Sequence, residues 1–208
     1  MPHVYISRLD LFMEAFINST LAVSIAEIGD KTQLLALFLA ARYSRPIIIS
    51  LGVFAATILN HALSAWLGAW LANVIPAHWI LWIISASFVA IAIWILIPDK
   101  EDDNMGRFSE YGPFLATLIL FFLAEIGDKT QIATVVLAAK YNETLWMTIS
   151  VIAGTTLGML LANVPVIFAG KWIMQKLPID IARKAAFILF IALAIITLLS
   201  TKITELSF

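Results

Sequence analysis

The sequence contains no cysteine and few charged residues. Of its 208 residues, 13% are Asp, Glu, Lys or Arg, and the formal net charge at pH 7 is -1. Without cysteine, the chain has no disulfide, no thiolate metal ligand and no cysteine nucleophile. A net charge this small gives no overall field that would attract nucleic acid, so any electrostatic function must be local.

Hydrophobic residues, in contrast, make up 62% of the chain, and the mean hydropathy is +0.95. A helix needs about 20 apolar residues to cross a hydrocarbon core about 30 Å thick, and several apolar blocks reach that length. The amino-terminal residues lack the basic segment and short apolar stretch of a cleavable signal peptide. We therefore expect a lipid bilayer as the solvent and a first helix that is retained.

The apolar blocks and the breaks between them predict six transmembrane helices. Pro46, Pro76 and Pro178 mark three of the breaks, because proline disfavours continuation of the preceding helix. A polar, acidic segment separates the third helix from the fourth. The predicted helices cover residues 11–41, 46–74, 79–97, 112–139, 145–173 and 183–201.

The second half of the chain repeats the first. The eight residues from 26 to 33 recur without change from 124 to 131, and further matches run through the following helices. We divide the chain into a first repeat, 1–98, an acidic linker, 99–111, and a second repeat, 112–208. Three helices per repeat is an odd number, so the second copy must enter the membrane from the opposite side. The predicted fold class is an all-α membrane protein of six transmembrane helices arranged as two inverted three-helix repeats.

Loop charges predict the orientation. Eight lysines and arginines fall on the side of the acidic linker, whereas outside the motifs only Arg8, Lys140 and Lys202 fall on the other side. Cytoplasmic loops carry the excess of positive charge, so we expect a cytoplasmic linker and both termini outside. The expected location is a bacterial inner (plasma) membrane. The run from Asp99 to Asp103 is either a solvated linker or a device that gathers cations at the cytoplasmic mouth.

The repeated segment places acids inside apolar helices. A charge at the bilayer centre costs about 2.5 kcal/mol or more, so such residues normally face a cavity or one another and mark a transport path. In each copy the glutamate and aspartate are three residues apart and share a helical face. If the two faces meet at the midplane, they form an all-oxygen cage. The predicted metal ligands are Glu27, Asp30, Gln33, Glu125, Asp128 and Gln131.

Oxygen ligands suit hard divalent cations such as manganese, calcium and magnesium. The charges of the two acids and the lysine in each motif sum to -1 when the lysine is protonated. The two motifs together carry a charge of -2, which one divalent ion neutralises. After the ion leaves, confined carboxylates should take up protons, which favours cation/proton exchange by alternating access. The motif glycines either permit an irregular helix or only allow close packing. The residues expected to support the site are Gly29, Lys31, Thr32, Gly127, Lys129 and Thr130.

Polar residues in the second and fifth helices have two interpretations. They line the cation pathway, or they serve only as interhelical hydrogen-bond partners. These residues are Asn60, His61, Ser64 and Asn163.

Other interpretations of the motifs compete with transport by exchange. The acids could line a channel without proton coupling, or only form ion pairs within one helix at four-residue spacing. These pairs are Glu27 with Lys31 and Glu125 with Lys129. Asp30 and Asp128 suggest an intramembrane aspartyl protease, but the Gly-x-Gly-Asp pattern is missing. A scaffold without transport does not explain why costly acids are duplicated.

The two Glu-x-Gly-Asp-Lys-Thr motifs, Glu27 to Thr32 and Glu125 to Thr130, resemble those of a family once labelled uncharacterised protein family sixteen. That family includes bacterial manganese exporters and Golgi calcium/manganese transporters. The resemblance covers essentially the whole chain and implies a secondary transporter, not an enzyme. It implies export of manganese, in some members also calcium, from the cytoplasm in exchange for protons, with the motif acids as the ion site. The implied partners are a divalent metal ion, protons and the lipid bilayer, without a cofactor. Metal selectivity and oligomeric state stay open.

Overall fold

The computed structural model describes residues 8–97, 111–170 and 179–205, and these residues form helices joined by short connections. The linker predicted at 99–111, apart from Tyr111, lies outside the described residues. The described helices are α1 (Arg8–Ala26), α2 (Lys31–Tyr43), α3 (Pro46–Val74), α4 (Ala77–Ile95), α5 (Pro113–Glu125), α6 (Lys129–Lys140), α7 (Leu145–Ala169) and α8 (Ile179–Glu205).

The first helix of each half is broken at the repeated motif. The prediction of one continuous helix over 11–41 is wrong, because α1 and α2 take its place. The continuous helix predicted over 112–139 is wrong for the same reason, because α5 and α6 take its place. Hydropathy alone did not reveal the breaks, since the apolar residues continue on both sides of them.

The residues of the motif explain the break. Gly29 and Gly127 have φ values of 81° and 75°, in the left-handed region where a side chain is unfavourable and where helices often end. The next residue in each motif starts a new helix as its N-cap, and Asp30 and Asp128 accept hydrogen bonds from backbone N–H groups two residues on. An N-cap aspartate satisfies a donor that the first helical turn leaves unpaired. Each motif therefore contains both a stop and a start signal.

The remaining predicted helices agree with the structure apart from their ends. The helix over 46–74 is α3 as predicted, and α4 lies two residues earlier than predicted at both ends. α7 begins at Leu145 and ends at Ala169, while residues 171–173 of that prediction lie outside the described residues. α8 extends beyond 183–201 in both directions.

The first broken helix lies along α7 and runs in the same direction. Near its start, the Ser150 hydroxyl donates to the Phe12 carbonyl over 2.7 Å. Further along, the Gln33 side-chain amide donates to the Ala162 carbonyl over 3.0 Å. Between these bonds, a Cβ added at Gly154 would lie 2.5 Å from the Phe16 carbonyl oxygen. Glycine therefore allows the α1 and α7 backbones to approach closely.

The second broken helix lies along α3 in the equivalent way. A Cβ added at Gly52, the repeat equivalent of Gly154, would lie 3.0 Å from the Phe114 carbonyl oxygen. The Asn60 amide donates to the Phe122 carbonyl over 3.1 Å. A Cβ added at Gly68 would lie 2.0 Å from the Val135 carbonyl oxygen. The broken helix of each half is thus positioned by the long helix of the other half.

The remaining helices, α4 and α8, pack against each other. Phe88 and Phe190, which occupy equivalent positions in the two halves, are fully buried at this contact. Their ring centroids lie 6.0 Å apart with the ring planes tilted by 51°, within the range that aromatic pairs prefer.

The exterior is apolar and the interior is partly polar. Large side chains such as Trp66 and Trp146 are 67% and 70% exposed, whereas Asn60 and Asn163 are 1% and 0% exposed. Soluble proteins show the opposite distribution, so this surface fits a lipid solvent. By length and composition, α1, α3 and α7 are each able to cross a membrane.

Candidate metal site

The two breaks place carboxylates from both halves together in the interior. Glu27, Asp30, Glu125 and Asp128 are all buried. One carboxylate oxygen from each of Glu27, Glu125 and Asp128 lies within 4.8 Å of the other two. The first half contributes one of these ligands and the second half contributes two. The chain has therefore assembled a cluster of three carboxylates that neither half could form alone.

Each glutamate of the cluster has one bonded oxygen and one without a hydrogen bond. The Thr32 hydroxyl donates to Glu27 Oε2 over 2.9 Å, and the Thr130 hydroxyl donates to Glu125 Oε2 over 3.1 Å. The Oε1 atoms of both glutamates are buried, and no described residue forms a hydrogen bond with them. Buried carboxylate oxygens are costly without a partner, and both a cation and a proton would supply one. The threonines thus orient the glutamates while leaving a ligand atom available on each.

The aspartates face the lysine of the opposite motif. Lys129 Nζ lies 2.6 Å from Asp30 Oδ1, and Lys31 Nζ lies 3.4 Å from Asp128 Oδ1. The ion pairs considered from the sequence joined each lysine to the glutamate of its own motif, whereas in the structure the lysines contact the aspartates of the opposite motif. The reason is the break, because four-residue spacing places side chains together only on a continuous helix. The lysines instead join the two halves.

The glutamines support the breaks in this structure. The Gly29 N–H donates to Gln33 Oε1 over 2.8 Å, and the Gly127 N–H donates to Gln131 Oε1 over 2.5 Å. An amide oxygen can accept a second bond, so these contacts leave one acceptor position on each glutamine. Metal coordination by Gln33 and Gln131 stays a prediction.

The polar residues of α3 and α7 are buried, and the donors of Asn60, Ser64 and Asn163 are hydrogen-bonded. Asn60 donates to Phe122, as described above, and the Ser64 hydroxyl donates to the Asn60 carbonyl over 2.8 Å. The Asn163 amide donates to the Met159 carbonyl over 3.1 Å. Three buried polar atoms have no hydrogen-bond partner among the described residues: Asn60 Oδ1, Asn163 Oδ1 and His61 Nδ1. Helix–helix bonding by Asn60 is thus observed, and a place for these residues on the cation pathway stays a prediction.

Sequence reasoning missed a second polar cluster between the halves. The Tyr141 hydroxyl donates to Glu14 Oε1 over 3.0 Å and accepts a bond from the Asn18 amide over 2.8 Å. Lys140 Nζ lies 4.8 Å from the centre of the Tyr141 ring. Two signals pointed to this cluster: an acid in the apolar α1, and a tyrosine at the same place in both halves.

An apolar exterior around a buried acidic cluster defines the class of this protein, an integral membrane protein whose interior is equipped to hold cations. A family model described as "Divalent cation/proton antiporter GDT1" matches residues 15–103 and 113–205. The chain therefore belongs to the GDT1 family. This match confirms the family resemblance that the two motifs indicated, and it describes a family of cation transporters rather than of enzymes.

Individual relatives agree with the family model. The chain is 50% identical over 186 residues to a protein of Vibrio cholerae serotype O1 named "Putative manganese exporter", covering 89% of this chain and 90% of that protein. It is 26% identical to a GDT1-like protein of Synechocystis, covering 89% and 97% of the two chains. It is also 26% identical to GDT1-like protein 5 of Arabidopsis thaliana, covering 90% and 96%. No solved structure matches the chain.

Proposed function

We propose that this protein exports divalent cations, above all manganese, from the cytoplasm in exchange for protons, by alternating access around the carboxylates of its two motifs. The observation that carries the proposal is the cluster of Glu27, Glu125 and Asp128, whose ligand atoms lie within 4.8 Å of one another. The description of the family and the name of the Vibrio relative support the same activity and the same ion.

The dimensions of the cluster suit one hard cation. Oxygens bound to a single calcium ion at about 2.3–2.6 Å lie at most about 5 Å apart, and the three carboxylate oxygens meet that limit. Carboxylate ligands without thiolate suit manganese, calcium and magnesium rather than softer metals. The predicted set of Glu27, Asp30, Gln33, Glu125, Asp128 and Gln131 also contains two amide oxygens, those of Gln33 and Gln131, that would complete the coordination shell after small movements.

Charge balance supports exchange with protons. The four motif acids and two motif lysines sum to -2 when all are ionised, and one divalent cation cancels this charge. When the cation leaves, protons are the available positive charges that fit the same buried oxygens. Cation and protons therefore compete for one site, which is the requirement for an antiporter with a single binding centre.

The helix directions support two inverted repeats, 1–98 and 112–208, joined by a cytoplasmic linker, with both termini outside. α2 and α3 are joined by only two residues and therefore reverse direction, while α1 runs parallel to α7. In this arrangement α3 and α7, which are equivalent, run in opposite senses across the membrane. Two such halves can exchange conformations, which opens the shared site to each side in turn.

The decisive test is manganese uptake by the purified protein in proteoliposomes, with and without an imposed pH gradient. Uptake should increase when the gradient drives protons outward. Glu27→Gln, Asp30→Asn, Glu125→Gln and Asp128→Asn should each reduce it by about a hundredfold or more, as loss of a buried charge that binds the metal or pairs with a motif lysine implies. Unimpaired uptake in all four variants would refute the site. Rapid flux that is insensitive to the pH gradient would show a channel instead.

A further inference from the structure

The two ion pairs across the site are equivalent in sequence but unequal in structure. The pair of Lys129 with Asp30 is short, at 2.6 Å, and its side chains are 4% and 0% exposed. The pair of Lys31 with Asp128 is long, at 3.4 Å, and the Lys31 side chain is 23% exposed. Charge-assisted N–H to O bonds are normally about 2.7–2.9 Å long. The pair of Lys129 with Asp30 is therefore tight and buried, while the pair of Lys31 with Asp128, the loose pair, is longer and partly exposed.

The loose pair is the one that involves the metal cluster. Asp128 contributes an oxygen to the group of three ligand atoms, whereas Asp30 does not belong to that group. A cation bound among these oxygens would share the Asp128 carboxylate with the Lys31 ammonium group. Two positive charges on one carboxylate repel strongly in a medium of low dielectric constant. Metal binding and the Lys31 contact are therefore opposed to each other.

We propose that Lys31 is a tethered counter-cation for the metal site, an inference that rests on the proposed function. Its ammonium group holds Asp128 when no metal is bound and leaves Asp128 when a metal binds. Lys129 remains on Asp30 in both conditions and holds the two motifs together. Lys31 thus sets the affinity for the metal and neutralises Asp128 while the carrier returns without it.

The inference predicts opposite effects on affinity and on turnover. In Lys31→Gln, the metal no longer competes with an internal ammonium group, so the manganese concentration for half-saturation should fall about fivefold or more. The maximal transport rate should also fall, because Asp128 lacks its cationic partner in the unloaded carrier. Lys31→Arg retains the charge and should restore values close to wild type. If Lys31 had only a structural role, removing its charge would not tighten metal binding.

The experiment measures manganese binding by electron paramagnetic resonance in detergent and initial uptake rates in proteoliposomes. Lys129→Gln is the matched control, because it changes the equivalent residue; it should lower the yield of folded protein without tightening binding. Lys31→Met is measured beside Lys31→Gln. The inference would be overturned if these two variants bind manganese equally well or more weakly than the wild type. It would also be overturned if the Lys31 and Lys129 variants behave in the same way, or if neither Lys31 variant folds. Absence of manganese binding and transport in the wild type would overturn the proposed function as well.

Discussion

At the scale of single residues, the glutamates are the side chains most clearly prepared for a ligand. In Glu27 and Glu125 a threonine of the same motif holds one oxygen, and the other oxygen is buried without a hydrogen bond. The threonine five residues after the glutamate therefore orients the carboxylate through one oxygen, while the other oxygen stays available for a ligand. Orientation and ligation are provided by different atoms of the same group.

Metal binding should weaken as the pH falls, because protons and the cation compete for the same buried oxygens. Between pH 8 and pH 6 we expect the manganese concentration for half-saturation of the wild type to rise. If the cation displaces one proton, the rise should be about tenfold for each pH unit, and each further proton should multiply it by about ten again. Isothermal titration in buffers of different ionisation enthalpy measures both the affinity and the number of protons released. Binding that is independent of pH, with no proton release, would contradict the exchange mechanism.

The threonine contacts give a second prediction at this scale. Thr130→Val keeps the size of the side chain but removes the hydroxyl that orients Glu125. We expect uptake to fall by about tenfold to a hundredfold, because loss of one hydrogen bond to a charged group is worth about 1.5–3 kcal/mol. Thr134→Val is the control, since within the described part of the chain its hydroxyl bonds to the Thr130 carbonyl of its own helix. Equal uptake by the two variants would show that orientation of Glu125 is unimportant.

At the scale of helices, the breaks in the motifs are the main structural feature. The sequence contained the signals, namely a glycine that can end a helix followed by an aspartate that can begin one. Hydropathy masked them, because α1 and α2 are apolar on both sides of the break. The acids and their repetition could be predicted from the sequence, since these depend only on position along the chain. The crossed pairing of Lys31 and Lys129 could not, because it depends on how the two halves meet.

Two glycines are needed for different reasons, Gly127 for its backbone conformation and Gly68 for close packing of two helices. A Cβ at Gly127 would meet nothing within 4 Å, but its φ of +75° makes alanine unfavourable by about 1–2 kcal/mol. A Cβ at Gly68 would lie 2.0 Å from the Val135 carbonyl oxygen, so alanine there must push α3 away from α6. We expect Gly68→Ala to lower the unfolding temperature in detergent and Gly127→Ala to reduce transport with a smaller loss of stability. Gly112→Ala has free space and is the control; an equally large loss there would refute this reasoning.

At the scale of the whole molecule, the two halves are joined at equivalent tyrosines in unequal ways. Tyr141 is buried and bonds to Glu14 and Asn18, whereas Tyr43 donates over 2.9 Å to the backbone carbonyl of Tyr111 in a contact exposed to the surroundings. Tyr141→Phe would remove the hydrogen bonds of the buried hydroxyl with Glu14 and Asn18. We expect it to destabilise the fold by about 1–3 kcal/mol, against about 1 kcal/mol or less for Tyr43→Phe. Unfolding in detergent measures both, and a larger effect of Tyr43→Phe would contradict the structure.

The absence of cysteine makes the proposed inversion of the halves directly testable, because a single introduced thiol has no background. Ser44 follows α2 and Glu143 lies in the equivalent connection after α6, and both residues are exposed. If the repeats are inverted, these connections lie on opposite sides of the membrane. A membrane-impermeant maleimide should then label Ser44→Cys only from the cytoplasmic side and Glu143→Cys only from outside. Labelling of both from the same side would mean that the halves are parallel, and two parallel halves could not exchange roles across the membrane around one site.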